Sequence, residues 1–123
     1  MLLENSGVEG IHNTFAAIDR PMKKLGFYPS WDYHKVSYDI KLEENGHAPE
    51  FYLRIPCTVV SGSVEHPGCE IELRTPITFK HYYPHGINYD IEPPPELKKK
   101  AENLVAQVKK TLSALPEPEK HEH

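Results

Sequence analysis

Lys35-Val36-Ser37-Tyr38-Asp39-Ile40-Lys41-Leu42 alternates polar and apolar side chains without a break. That period of two belongs to a strand with one buried and one wet face. A second run of the same kind spans Phe51 to Val64. Phe51, Leu53, Ile55, Cys57 and Val59 point one way, and Tyr52, Arg54 and Thr58 the other. Between the two runs, Glu43-Glu44-Asn45-Gly46-His47 supplies a turn, with Asn-Gly the strongest hairpin signal. His66-Pro67-Gly68 makes a second turn. Cys69, Ile71 and Leu73 then alternate with Glu70, Glu72 and Arg74, and the strand resumes after Pro76 with Ile77 and Phe79. The pattern predicts an antiparallel meander of about three long strands. Leu53-Arg54-Ile55-Pro56-Cys57-Thr58 is echoed by Leu73-Arg74-Thr75-Pro76-Ile77-Thr78. Proline cannot donate to a ladder, so each strand should bulge, bend or lose pairing at Pro56 and Pro76, and the sheet should curve.

Outside the meander the period is helical. Asn13 is a candidate N-cap, followed by Phe15, Ile18, Met22 and Leu25 on one face, with Gly26 past the end. Pro21 falls inside this segment, so either the helix bends there, which is the favoured reading, or Asp19 caps a shorter helix with Pro21 in its first turn. Val8–Ile11 offers a short edge strand. Tyr82 to Pro95 is an irregular connector rich in proline and tyrosine. A second helix is expected from Pro95 to Leu115, with Leu97, Ala101, Leu104, Val105, Val108, Leu112 and Leu115 as its apolar stripe. Strands with one apolar face need a cover. The expected fold is therefore α+β: a curved antiparallel sheet with both helices on its concave face. Residues 1–115 would form one domain and 116–123 a flexible tail.

The 123 residues suit one domain. Twelve aromatic residues (7 Tyr, 4 Phe, 1 Trp) set in alternating runs argue against disorder. No apolar run is long enough to span a membrane, and the start lacks the pattern of a secretory signal. A net charge of -4 argues against a nucleic-acid partner. Cys57 and Cys69 read as reduced thiols, which suits a cytoplasmic location.

Reactive constellations are sparse. Of eight histidines, the close pairs are His81/His85, interrupted by Pro84, and His121/His123 in the tail, so no metal site is expected. No nucleophile elbow, Cys-His signature or phosphate loop occurs, so neither a catalytic residue nor a cofactor is expected. Glu70 and Glu72 share a strand face and read as a solvated surface. Arg54 and Arg74 share the outward side with Tyr52, and a hairpin about His66-Pro67 brings Arg54 towards Phe79–His81. Arginine beside tyrosine and histidine can hold a carboxylate or phosphate. The plainer reading pairs the arginines with Glu70 and Glu72 across strands. Trp31-Asp32-Tyr33 reads as a strand entry whose tryptophan closes the end of the core.

These pieces resemble the YugN-like proteins of Gram-positive bacilli. The likeness rests on Leu25-Gly26-Phe27, Trp31-Asp32-Tyr33, Tyr38-Asp39-Ile40-Lys41-Leu42, Leu53-Arg54-Ile55-Pro56, the Pro67-Gly68 turn and a Leu-Arg-x-Pro strand ending at His81-Tyr82. It covers roughly residues 14–83. Pro29-Ser30 stands where the family often has a Gly-Gly pair. The resemblance implies a small bacterial cytosolic protein and brings no activity, cofactor or catalytic residue. The leading expectation is a non-catalytic interaction or structural module acting as a homodimer. The alternative is a binding module for a small anionic ligand, unidentified, built on Arg54, Arg74, His81 and Tyr52. A third reading is an enzyme with His81 as acid/base beside a Glu or Asp.

Overall fold

The computed structural model describes residues 1–32, 35–44, 49–66, 68–82 and 86–118. The Asn45-Gly46 turn, Pro67, Tyr33, His85 and the histidines of the tail lie outside them. Strand β1 (His12–Thr14) leads into helix α1 (Phe15–Lys24). Strands β2 (Tyr28–Trp31), β3 (Lys35–Lys41), β4 (Glu50–Ser61), β5 (Glu70–Leu73), β6 (Ile77–Tyr82) and β7 (Gly86–Asn88) follow, and helix α2 (Pro95–Ser113) closes the order. The expected α+β architecture stands, with seven strands in one sheet among the described residues.

The order across the sheet is β1-β5-β4-β3-β2, with β6 pairing both β4 and β7. All these pairs are antiparallel. β5 and β6 are the expected third strand cut in two, and both lie along the same edge of β4. Cys57 faces Leu73 on one side of the cut, and Arg54 faces Ile77 on the other. Two residues of β4 (55 and 56) therefore oppose three of its neighbour (74 to 76), which is one extra residue. Arg74 N–H donates to the carbonyl of Pro56 across the break, at 2.8 Å. Pro56 thus turns its missing N–H towards the bulge, while its pairing with Ser37 of β3 continues in register. The two prolines of the sequence echo meet at one irregularity.

The extra residue reverses the facing of everything beyond it. Leu73 points to the helices with Cys57, whereas Phe79 points away from them with Tyr52. A second register shift lies between Val59 and Ser61 and leaves Val60 48% exposed, so β4 ends at Ser61 rather than Val64.

Ile18 and Met22 of α1 and Ala101, Val105, Val108 and Leu112 of α2 are buried against Val36, Tyr38, Leu53, Ile55, Cys57, Ile71 and Leu73 of the sheet. Both helices therefore cover one face. Tyr38 donates its hydroxyl to Asp19 Oδ1 of α1 at 2.9 Å. α1 runs through Pro21 as one helix, and Gly26 beyond it adopts φ +100°, a conformation that favours glycine. Its N-cap is Thr14, whose side chain accepts from Ala17 N–H, and not Asn13. Asn13 is buried and donates instead to the carbonyl of Pro116 at 2.9 Å, which ties the first tail residue to β1. The edge strand forms at 12–14 rather than 8–11. There Ile11 N–H donates to Val8 O, and Gly10 takes φ +87° in a turn. Strand β2 begins at Tyr28, ahead of the expected start at Trp31.

Candidate functional site

Two surfaces gather the side chains with chemistry to offer. The first is the sheet face opposite the helices. Tyr52 and Arg54 project from β4, and Phe79 and His81 from β6. Phe79 is 2% exposed although no helix covers it. Tyr52 stacks on it at 5.2 Å, Tyr89 leans on it at 5.4 Å, and the guanidinium of Arg54 lies 4.7 Å from its ring centre. His81 meets Tyr52 edge-on at 6.2 Å. The result is a small second core on the outer face, completed by the chain following β7.

Arg54 is fully engaged there. Its Nε and Nη2 donate to the two oxygens of Asp39 at 2.8 and 2.9 Å, and Nη1 donates to the Tyr89 hydroxyl at 2.9 Å. The hydrogen bonds to the Asp39 carboxylate push its pKa above the ordinary arginine value, against a smaller opposing effect of burial. Arg74 donates to Thr58 Oγ1 at 3.1 Å and Glu72 Oε1 at 3.2 Å, from a side chain 59% exposed. The structure thus brings Tyr52, Arg54 and His81 together around Phe79 and gives each arginine a carboxylate of its own. Glu72 was expected as a partner across strands; it meets Arg74 instead from two residues back along the same segment. Asp39 was passed over because it reads as the wet half of β3.

Glu50 was also missed, since it lies just before the alternating run of β4. It is 1% exposed, its Oε2 has no hydrogen-bond partner among the described residues, and Lys41 Nζ forms an ion pair with that oxygen at 3.6 Å. Cys57 behaves as the sequence suggests: burial pushes its thiol up to about 12, which suits a packed side chain rather than a nucleophile.

The second surface surrounds Trp31. Its register partner is Val36, so it lies on the helix side of the sheet. It does not close the core: it is 59% exposed, touching Phe15 of α1 edge-on at 5.8 Å. One notch of about 200 Å³ is lined by Trp31, Asp32, Ser63, Val64 and Glu65. Another of about 220 Å³ is lined by Phe15, Ala16, Asp19, Lys23, Trp31 and Val64. Asp19 and Lys23 pair at 2.9 Å on its wall. No helix among the described residues is long and apolar enough to cross a membrane.

Comparison with known proteins gives a consistent answer. The YugN-like family model matches residues 4–111, extending beyond residues 14–83 and into α2. The "Uncharacterized protein YlbA" of Bacillus subtilis (strain 168) is 37% identical over 86 residues, which is 68% of this chain and 70% of that protein. The crystal structure of the uncharacterized conserved protein YugN from Geobacillus kaustophilus HTA426 superposes with a TM-score of 0.79 at 36% identity. That match covers 92% of this chain and 95% of the other.

Proposed function

The chain belongs to the YugN-like family, and we propose that it is a non-catalytic interaction module that works as a homodimer through the Trp31 surface. The observation that carries this reading is a protruding tryptophan beside notches of its own approximate size. A two-fold contact uses the same patch on both copies, so it needs a projection and a recess next to each other. Trp31 is the projection, and the notch against Phe15 is the recess. Asp19 and Lys23 on its wall carry opposite charges that a rotated copy can match. Direct strand addition at β2 is disfavoured. Asp32 N–H donates to Lys35 O, so ladder alternation turns the amides of Pro29 and Trp31 outward, and Pro29 has no N–H to offer. The contact is therefore made by side chains.

The magnitude favours a modest affinity. The exposed 59% of Trp31 corresponds to roughly 90–150 Å², or about 2–4 kcal/mol per copy on burial. Two copies give about 4–7 kcal/mol, against an association cost of at least about 4 kcal/mol. Neighbouring contacts around the notches must supply the rest. Light scattering after size exclusion tests the reading over a concentration series. A dimer mass is expected, with the emission of the single tryptophan shifting to the blue as the dimer fills. Trp31→Ala should yield a monomer with an unchanged circular-dichroism spectrum. A wild-type chain that stays monomeric at millimolar concentration removes the proposal.

The outer face supports a second reading, a site for a small anion at Arg54, Arg74, Tyr52 and His81. It is favoured by the exposure of the Arg74 guanidinium. Any anion there has to compete with Asp39 and Glu72. Thermal shifts with phosphate and citrate decide it, since an unaltered melting temperature for both leaves the reading without support.

A further inference from the structure

Trp31 stands between two recesses, and Phe15 lines only one of them. The other, of about 200 Å³, is built by two turns. In the first, Asp32 Oδ1 accepts the Lys35 N–H and Asp32 N–H donates to the Lys35 carbonyl, both at 3.0 Å, which holds that carboxylate on the recess wall. In the second, His66 N–H donates to Ser63 O at 2.9 Å and closes a turn with Val64 and Glu65 at its centre. Val64 is nearly buried and supplies the apolar wall opposite the carboxylates' charge. Glu65 is exposed and has no ion-pair partner among the described residues. Nearby cations are engaged elsewhere. Lys35 pairs in register with Thr58 and so faces away from Val36 and Trp31, and Lys23 lines the other recess with Asp19 at 2.9 Å. Among the described residues the recess therefore offers an indole, a valine, a hydroxyl and two carboxylates, with no positive charge in its lining.

Carboxylates beside an indole select a cation, and the indole selects one whose own surface is apolar. A metal ion does not meet that description, and no group of three or more metal-ligating side chains gathers among the described residues. A primary ammonium is compact and strongly hydrated, so it gains little from the aromatic wall. The volume lies below the about 300–1,000 Å³ of sites for drug-sized ligands, which limits the occupant to a small head group. We propose that this recess binds a quaternary ammonium head group, with its methyl groups against Trp31 and Val64 and its charge balanced by Asp32 and Glu65. The site goes beyond the dimer reading, whose recess is the one against Phe15.

The test is calorimetric titration of the dilute full chain with tetramethylammonium chloride, against sodium chloride and ammonium chloride at matched ionic strength. The emission of the single tryptophan is followed in parallel. One tetramethylammonium ion should bind saturably and change that emission, and neither sodium nor ammonium should do so. Trp31→Leu should weaken binding about five- to thirtyfold, and Glu65→Gln about two- to fivefold. Both side chains are exposed, so both variants should keep the wild-type circular-dichroism spectrum. Tyr28→Leu, which removes an aromatic ring 73% exposed on the opposite face, should leave binding unchanged. Light scattering without added cation decides the dimer separately, so either reading can fail alone. An equal response to sodium or ammonium overturns the proposal, as does binding that survives Trp31→Leu undiminished or a titration that shows no saturation.

Discussion

Substituting Phe79 and Tyr52 separately and together tests the register reversal at the β5–β6 break. Phe79 is 2% exposed and packed by Tyr52 at 5.2 Å, with ring planes 2° apart. A buried phenylalanine truncated to alanine costs about 3–5 kcal/mol in well-enclosed cores. Here the covering layer is one side chain thick, formed by Tyr52, Tyr89 and Arg54. It can collapse into the space, which places Phe79→Ala near about 3 kcal/mol. The sharper quantity is the coupling between the two rings. Stacked aromatic pairs contribute about 0.5–1.5 kcal/mol beyond the area they bury, and residues on opposite faces of a sheet contribute none directly. Urea unfolding followed by circular dichroism on wild type, Tyr52→Leu, Phe79→Leu and the double variant closes the cycle. A coupling of about 1 kcal/mol is expected. A value indistinguishable from zero would mean that the rings do not touch, and the bulge with its reversal would be refuted.

Raising the pH should destabilise the fold through Cys57. Its thiol is held protonated up to about 12, against an ordinary value near 9, because burial penalises the thiolate. A raised folded-state pKa gives stability that is complete below the unfolded value and is lost as pH climbs towards the folded one. The loss should be about 1.4 kcal/mol per pH unit between roughly pH 9 and 12. The phenol of Tyr38, raised by burial and then by its bond to Asp19, adds a loss of the same sign; Cys57→Ala should flatten the urea-midpoint profile in that window, and an identical slope counts against the assignment. Arg54→Ala should cost about 1.5–3 kcal/mol, because it breaks charged hydrogen bonds at a partly buried pair. Arg74→Ala, exposed, should cost below about 1 kcal/mol in the same chemical melts, and a reversed order would show that Asp39 is not the stronger anchor. Thr14→Ala should lose about 1 kcal/mol as the cap of α1, with Asn13→Ala acting instead through its tie to Pro116; equal helix loss on replacing Asn13 alone would reassign the cap.

Much of the architecture was legible because burial obeys a period. Val36, Tyr38, Leu53, Ile55, Ile71 and Leu73 alternate in the sequence and all turn to the helices in the structure. The apolar stripe of α2 behaves likewise, since a 3.6-residue repeat fixes its inward side. The departures arise where a local irregularity outranks the period. Pro56 and Pro76 announced a break, but not that both would meet at one bulge, nor that Phe79 would turn over beyond it. β2 was hidden because Tyr-Pro-Ser-Trp has no alternation to read, and its pairing depends on β3 being present. Asn13 and Thr14 are both competent caps, and only the burial of Asn13 against Pro116 separates them. Of the nominated site residues, Tyr52, Arg54 and Arg74 could be placed on one face by alternation, whereas His81 joins them only because the bulge turns β6 over. Asp39, Tyr89 and Glu50 could not be recruited to them, because each comes from a strand or loop whose register is fixed only by folding.

The outer edge of β5 and β6 has an implication for the order in which the molecule assembles. Leu3 N–H bonds to Pro76 O, Leu2 bridges Ile77, and His12 to Thr14 pair with Glu72 to Glu70. Residues 2–14 therefore dock on strands that are synthesised some sixty residues after them. Until then those opening residues have no ladder to join, and the loop they must close is long. The hairpin of β3 and β4 can form from neighbours, but the rim added by residues 2–14 waits until β5 and β6 have been made. Maturation of this fold should end, rather than begin, at its N-terminal edge.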